Sequence, residues 1–353
     1  MKNLKSCITK WMSNISFYQK HELSKKIGFV MLGEFPKVPP TAYVRLIDWK
    51  QWFEYNYNGE VEYINWKYLL TEKVARFKLI VIQRNAIPAE SVDLIITALI
   101  NSNIPYIFEL DDNLLNVPIE IDIDLSYQNY RPYLEKLISH AESVHVTNTR
   151  LKNVCKKFNE NIIIRPNKLL KSRWLAKTKE IKLNVNRLEI NILYFGSKTH
   201  QIDLDFILTV ISEMNKTQKV NLYLVGGGNF NSILHPYVYR LKPKGSRYDR
   251  FVDWLISIKS NFDLGVVPLL ENDFSVYKSY LKCLEFSALS LPIVCSKNQP
   301  YTDLDITQLG KIEFSENNIE EWIIKIDTIM GSKSDNSAKM LTSAYFIDHD
   351  KKN

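Results

Sequence analysis

The chain has 353 residues, a net charge of +7, and 45% hydrophobic against 24% charged residues. These values are typical of a globular protein of two domains and argue against wholesale disorder. No apolar run reaches the ~18 residues that a membrane-spanning helix needs. The cysteines, Cys7, Cys155, Cys283 and Cys295, form no CxxC pair, which argues against a zinc ribbon or a disulfide scaffold. The modest positive charge suits an anionic small ligand or an anionic membrane surface at least as well as nucleic acid, for which no motif is visible.

The N-terminal segment, residues 1–26, is rich in lysine and has apolar residues at helical spacing on one face. This pattern predicts a basic amphipathic helix. Such a helix can lie on an anionic membrane as a peripheral contact, or it can pack on its own domain, and the periodicity does not separate the two. The expected location is the cytoplasm, with the inner face of the membrane as the site of any such contact.

The first half of the chain alternates strands and helices. Strands are predicted at 27–32, 77–82, 105–110, 143–146 and 162–164, and helices at 41–55, from 88 onward, 130–141 and 149–158. Strands separated by helices of this length indicate parallel βαβ units. The first domain is therefore predicted over 27–170.

A second alternation follows a lysine-rich segment, 171–188, which is predicted to be a linker. Strands are predicted at 190–195, 220–225, 264–268 and 293–295, and helices at 204–214, 248–259, 280–289 and 319–330. The second domain is predicted over 189–335, with a tail, 336–353, that can return to the first domain. The predicted fold class is α/β, with two Rossmann-like doubly wound domains facing across a cleft.

Three acidic residues, Glu109, Asp111 and Asp112, stand at the end of the predicted strand 105–110. Paired carboxylates there can act as a general base, bind a divalent metal or accept hydrogen bonds from sugar hydroxyls. The alternative is a turn in which one aspartate caps the next helix.

Two glycine-containing turns follow strands of the second half. The first holds Gly196, Ser197, Lys198 and His200, and the second begins with Gly226-Gly227. Glycine lets backbone N–H groups approach an anion closely. Neither turn has the spacing of a Walker loop or of GxGxxG, so ordinary strand–helix connections are the alternative.

The most informative cluster is Lys278, Lys282 and Glu285, whose i, i+4, i+7 spacing predicts one helix face. Two cations and one acid can hold a diphosphate and ribose hydroxyls. They can also form a solvated salt-bridge stripe.

This cluster lies within a run that resembles a known family. DLGVVPL, followed by FSVYKSYLKCLEFSALSLPIVCS, resembles the nucleotide-sugar signature of glycosyltransferase family 4-like enzymes of the GT-B fold. The segments GSKTH, VGGG, FELDDNL and VPPTAYVRL are similar to the same subgroup. The resemblance implies a hexosyltransferase that moves a sugar from a nucleotide-activated donor to a glycan or lipid-linked acceptor in surface polysaccharide synthesis. It also implies a retaining reaction without a bound metal or other cofactor.

The resemblance also implies roles for individual residues. Glu285 would bind the donor ribose, and the first acid of the family's E-x7-E pattern would fall at Tyr277, where it is missing. The remaining donor contacts would come from the two glycine turns and the lysine cluster: Gly196, Ser197, Lys198, His200, Gly226, Gly227, Lys278, Ser279 and Lys282. In the first domain, Asp112, Asp111 and Glu109 would be catalytic, and Thr41, Tyr43 and Arg45 would contact the acceptor.

Two other functions stay open at this point. The missing acid suggests a non-catalytic GT-B subunit that binds a glycan or a partner enzyme. The doubled βαβ halves suggest a nucleotide-dependent oxidoreductase, although neither first strand is followed by GxGxxG.

Overall fold

The chain divides into two compact units, residues 1–166 and 167–353. The structure is a computed structural model that describes residues 26–243, 245, 247–331 and 341–348, without the side chain of Lys198. The predicted helix over 1–26 therefore lies outside the described residues, apart from Lys26. In the described ranges, no helix is both long and apolar enough to span a membrane.

The first unit is built on a six-stranded parallel sheet with the strand order β2-β1-β3-β4-β5-β6. Its strands are β1 Lys26–Val30, β2 Glu60–Ile64, β3 Phe77–Gln83, β4 Tyr106–Leu110, β5 Ser143–Val146 and β6 Ile162–Ile164. Its helices are α1 Pro40–Arg45, α2 Lys50–Asn56, α3 Val92–Asn101, α4 Ser126–Ser139 and α5 Thr149–Cys155. The central strands are buried on both faces, which is why they consist of almost continuous apolar runs.

The second unit repeats this plan with a six-stranded parallel sheet of order β10-β9-β8-β11-β12-β13. Its strands are β8 Ile190–Gly196, β9 Val220–Gly226, β10 Val238–Leu241, β11 Leu264–Val267, β12 Ile293–Ser296 and β13 Ile312–Ser315. Its helices are α6 Lys171–Trp174, α7 Gln201–Met214, α8 Tyr248–Ile258, α9 Leu281–Ala288 and α10 Ile319–Gly331. The predicted fold class, two Rossmann-like α/β domains, is confirmed.

Residues 171–188, predicted as a linker, pack on the second unit. Trp174 of α6 is buried, the N–H of Ile181 donates to the carbonyl of Ser257 (2.7 Å), and the N–H of Leu183 donates to Oδ1 of Asn261 (2.9 Å). A short parallel pair, β7 Leu169–Leu170 with β14 Phe346–Ile347, also belongs to this unit. The described part of the predicted tail is thus paired next to the start of the second unit.

The helix predicted over 41–55 is interrupted. Its first part, α1, ends at Leu46, whose φ of −124° is not helical, and a single turn at Ile47–Trp49 connects it to α2. Leu46 and Trp49 are both buried, so the interruption turns two apolar side chains into the core.

Candidate functional site

Each sheet reverses its strand order at one point, between β1 and β3 in the first unit and between β8 and β11 in the second. In doubly wound sheets, ligands bind at the carboxyl ends of the strands beside such a point. The polar residues that follow these strands are therefore the candidates for function in each unit.

The turn Gly226–Gly228, called the glycine turn below, is joined to the end of the neighbouring strand. Gly196 ends β8 and Gly226 ends β9, and the N–H of Gly227 donates to the carbonyl of Gly196 (2.9 Å). Gly226 has a φ of +96°, and a Cβ there would collide with that carbonyl. This turn therefore requires glycine at position 226.

Arg240 holds the same turn from the side, and the sequence analysis missed it. Its Nη1 donates to the carbonyl of Gly226 (2.7 Å) and its Nη2 to the carbonyl of Gly228 (2.6 Å). The next N–H, that of Asn229, donates to Oε1 of Gln201 (2.7 Å). The peptide groups Gly226–Gly227 and Gly228–Asn229 are thereby fixed in orientation.

His200 and Asp203 form a second fixed element beside this turn. Asp203, in the first turn of α7, accepts from Nδ1 of His200 (2.7 Å) through one oxygen and from the N–H of Leu270 (2.7 Å) through the other. Asp203 is buried, whereas 23% of the His200 side chain is exposed. Asp203 therefore orients the imidazole and ties it to the loop after β11. The neighbouring Ser197 is exposed, and its Oγ bonds to Thr199 Oγ1 (2.7 Å).

Glu285 is almost entirely buried, with 2% of the residue exposed. Tyr248 donates its hydroxyl to Oε1 of Glu285 (3.0 Å), and Lys282 pairs with Oε2 (2.9 Å). The Lys282 ammonium also lies 4.2 Å from the centre of the Phe195 ring. A ribose could reach this carboxylate only by sharing it with Lys282 or by displacing that lysine.

Lys278 does not share a helix face with Lys282 and Glu285, so that prediction is wrong. Helix α9 begins at Leu281, and Lys278 lies in extended backbone at the end of the turn Ser275–Tyr277. Its ammonium lies over the ring of Phe274, 4.5 Å from the centre.

Ser279, predicted to contact the donor, accepts a hydrogen bond from Nδ2 of Asn167 (2.7 Å). Its Oγ also accepts from the N–H of Leu281 at the start of α9 (3.4 Å). Ser279 therefore helps to fix the segment that carries Lys278.

In the first unit, Asp111 is held at the end of β4 by two donors. The Thr41 hydroxyl donates to Oδ2 of Asp111, and Arg84 Nη1 lies 3.2 Å from Oδ1. Arg84 has a φ of +48°, a left-handed conformation that is uncommon for arginine. Burial opposes the charge of Arg84, but the carboxylates of Asp111 and Asp112 outweigh burial and raise its pKa.

Four buried polar atoms around this strand edge have no hydrogen-bond partner among the described residues. They are Oε1 of Gln83, Nε of Arg84, Oδ1 of Asp111 and Oδ1 of Asn113. Asp111 and Asp112 are both partly exposed. The edge therefore combines a fixed carboxylate with buried polar groups whose hydrogen-bonding capacity is unmet.

Glu109 was predicted to be catalytic, but it lies in the core. It is 0% exposed, its Oε1 accepts from Nε of Arg45 (2.5 Å) and its Oε2 accepts from Nη2 of Arg165 (2.5 Å). Burial alone would raise the pKa of Glu109, but the charges of Arg165 and Arg45 outweigh it and lower the pKa. Glu109 cannot contact a substrate in this arrangement, because both carboxylate oxygens are enclosed by guanidinium groups.

Two of the three residues predicted to contact the acceptor, Tyr43 and Arg45, are buried, so these two predictions are wrong. Arg45 is 0% exposed, and Tyr43 is 2% exposed and donates its hydroxyl to the carbonyl of Pro36 (3.1 Å). Both side chains hold α1 to the rest of the first unit. Only Thr41, at the start of α1, lies at the strand edge beside Asp111.

The buried charges extend to His145, which is opposite Glu109 in the register of β4 and β5. Burial, followed by the charge of Arg165, lowers the pKa of His145 to about 3, so the ring is neutral at pH 7. Burial likewise lowers the pKa of Arg165, to about 10, which leaves that guanidinium charged. His145 stacks on Phe53 with 6.0 Å between ring centres.

Within the described ranges, no three His, Cys, Asp or Glu side chains are grouped so that they could hold a metal ion. The expectation that no metal or other cofactor is bound stays a prediction.

No protein-family model and no curated protein matches the sequence. Solved structures do match. HepE of Anabaena, in complex with UDP and glucose, aligns with a TM-score of 0.58 at 14% identity over 88% of this chain and 91% of its own. Sucrose-phosphate synthase from Thermosynechococcus elongatus aligns with a TM-score of 0.57 at 11% identity, covering 88% and 90%. A glycosyltransferase from Rickettsia africae aligns with a TM-score of 0.55 at 12% identity, over 88% of this chain and 89% of its own.

The chain has the GT-B fold. The alignments cover nearly the whole of each protein, so both units are included in the match. At 11–14% identity the likeness shows the fold alone. The GT-B part of the predicted resemblance is confirmed, and membership of family 4 stays a prediction.

Proposed function

We propose that this protein is a glycosyltransferase that uses a nucleotide-activated sugar. The arrangement of polar groups at the carboxyl end of the second sheet supports this proposal most strongly. There, the glycine turn held by Arg240 follows β9, the His200–Asp203 pair lies at the start of α7, and the buried Glu285 lies in α9. HepE, which shares this fold, is described in complex with UDP and glucose, which makes UDP and UDP-glucose the first probes.

In the proposed donor site, Glu285 accepts hydrogen bonds from the ribose hydroxyls. The backbone at Gly196, Ser197 and the glycine turn would face the diphosphate. Lys278 and Lys282 would neutralise the charge that develops on the leaving diphosphate, which is the main electrostatic task in this reaction. Lys282 already lies within reach of Glu285, so donor binding would exchange one of its partners for a phosphate oxygen.

The first unit is proposed to bind the acceptor, with Asp112 as the acid nearest to it. Asp111 would hold the strand edge in place, because the Thr41 hydroxyl and Nη1 of Arg84 both donate to its Oδ2. We further propose that the acceptor is a glycan or a lipid-linked sugar of surface polysaccharide synthesis and that transfer retains the anomeric configuration. The resemblance of FELDDNL and of the lysine-containing segment to family 4 supports these finer points, and the basic residues of 1–26 support peripheral contact with a membrane.

The test is a calorimetric titration with UDP and UDP-glucose, followed by GDP-mannose and UDP-N-acetylglucosamine. A bound donor at 100 times its Kd adds about 2.7 kcal/mol of stability, so thermal shift provides a second readout. UDP release in the presence of a glycan mixture then measures turnover. Binding without turnover would favour the non-catalytic alternative, and the absence of any nucleotide binding would refute the proposal.

A further inference from the structure

A pocket lies in the first unit at the carboxyl ends of β1 and β2. Its volume is about 500 Å³, and its lining includes Gly33, Glu34, Phe35, Lys50, Tyr63 and Asn65. This volume falls in the range of sites that take small molecules. None of these residues belongs to the donor or acceptor residues predicted from the sequence.

The turn that carries Phe35 is rigidly built. The N–H of Lys37 donates to the carbonyl of Glu34 (2.7 Å), and the two residues form an antiparallel bridge. Gly33 has a φ of +80°, and a Cβ there would lie 2.8 Å from the carbonyl oxygen of Lys37, so a side chain at this position would be excluded. Phe35 therefore stands at the tip of a closed turn.

The Phe35 ring forms an aromatic platform with Tyr63. The ring centres are 4.5 Å apart and the planes differ by 19°, yet Phe35 remains 47% exposed. Because one face of Phe35 covers Tyr63, the exposed half includes the opposite face. Burial, reinforced by the charges of Glu54 and Asp48, raises the pKa of Tyr63 to about 12, so its phenol keeps its proton and can donate a hydrogen bond.

The lining of the pocket holds two acids, Glu34 and Glu62, and one base, Lys50, and Glu62 is paired with Lys26 and Arg76. Asn65 adds an amide, and its Nδ2 lies 3.4 Å from Oε1 of Glu34. Lys50 has a carboxylate partner of its own, Glu54, at 3.6 Å. An anion would find no excess positive charge here. The C–H face of a sugar ring suits the platform, and its hydroxyls suit the mixed donors and acceptors of the lining.

The pocket shares its sheet edge with Asp111 and Asp112. Strands β1, β3 and β4 are neighbours, so the end of β1 lies two strand spacings, about 10 Å, from the end of β4. A ligand that contacts both places must be longer than one sugar ring.

We propose that this pocket binds a neutral sugar residue of the acceptor through the Phe35 platform, so that the acceptor is an oligosaccharide of at least two sugars. This rests on the proposed glycosyltransferase function and names the class of its acceptor. The sugar seated on Phe35 would lie away from the hydroxyl that receives the new residue.

The experiment is saturation-transfer NMR on the full chain with maltotriose, cellotriose and triacetylchitotriose as probes. We expect ring C–H signals from at least one probe, a Kd about tenfold higher in Phe35→Ala, and recovery of affinity in Phe35→Trp. Tyr55→Ala is the matched control, because Tyr55 is an exposed aromatic residue of the same unit outside the pocket. Phe35 is half exposed, so its substitution should leave folding intact, and circular dichroism checks this.

The proposal is overturned if none of the three trisaccharides gives a signal or if Phe35→Ala binds the sugar as tightly as the unsubstituted chain. A UDP titration of the same samples separates the two hypotheses. Sugar binding lost in Phe35→Ala with UDP binding retained supports the pocket. Failure of UDP to bind at all counts against the glycosyltransferase function, whatever the sugars do.

Discussion

Substitution of Glu285 by Gln is the sharpest test of donor recognition. The side chain is buried, Tyr248 donates to one oxygen (3.0 Å) and Lys282 pairs with the other (2.9 Å). Glutamine keeps the size of the side chain and an oxygen that can accept from Tyr248. It removes the charge that would hold ribose hydroxyls.

The expected effects on folding and binding are measured separately. Glu285 is 2% exposed and the Lys282 side chain 32%, so water can solvate the ammonium once the pair is broken. The free energy of unfolding should therefore fall by less than the about 3–5 kcal/mol that breaking a fully buried pair costs. A hydrogen bond to a charged group contributes about 1.5–3 kcal/mol. If Glu285 accepts from the ribose, the Kd for the donor should therefore rise by roughly 10- to 150-fold.

Calorimetry with UDP gives the affinity, and urea denaturation gives the stability of the same preparations. Glu320→Gln is the matched control, since Glu320 is an exposed acid on α10 of the same unit. A folded Glu285→Gln variant that binds UDP with unchanged affinity would refute the assignment. Its carboxylate would then serve only to position Tyr248 and Lys282.

Three further predictions follow from the other charged groups. His145→Phe should leave stability at pH 7 within about 1 kcal/mol of the unsubstituted protein, because neither ring nitrogen has a partner among the described residues. The folded state favours the neutral ring of His145, so the contribution of this ring to the free energy of unfolding is lost as pH falls from 6.5 towards 3. In acid denaturation, the His145→Phe variant should therefore lose stability less steeply over that window. Lys278→Ala should lower turnover about tenfold or more with an unchanged melting temperature, whereas Lys282→Ala should lower both turnover and melting temperature. Full activity in both variants would show that neither lysine acts on the leaving diphosphate. Asp112→Asn should retain UDP binding and lose roughly a hundredfold in sugar transfer, and normal transfer would make the acidic strand end a simple turn.

The fold could be predicted from the sequence because the central strands are buried on both faces. Runs such as FKLIVIQ and NILYF contain too few polar residues to be mistaken for loops. In the two six-stranded sheets, the strands that the sequence does not predict are β2, β10 and β13. All three lie at the edges, where one side of the strand lacks a neighbour. Their sequences, EVEYI, VYRL and IEFS, mix charged and apolar residues, so their hydrophobic signal is weak.

The site was only partly readable, for a different reason. Position after a strand identifies which residues reach the functional edge, but it does not tell an enclosed acid from an accessible one. Glu109 and Asp111 differ by two positions, and only the tertiary structure shows that Arg45 and Arg165 enclose the first. Arg240 was missed because it lies on an edge strand that the sequence pattern did not reveal.

The contacts of α1 show why part of the family resemblance in the first unit reflects packing. Thr41 and Arg45 are four residues apart and so lie on one face of a helix, while Glu109 lies in β4 and Asp111 follows its last residue. Thr41 bonds to Asp111 and Arg45 bonds to Glu109, which fixes the helix against the strand at two points. VPPTAYVRL and FELDDNL are thus two halves of one packing contact. The buried half, Arg45 with Glu109, sets the position of the other half, Thr41 with Asp111, at the carboxyl end of β4.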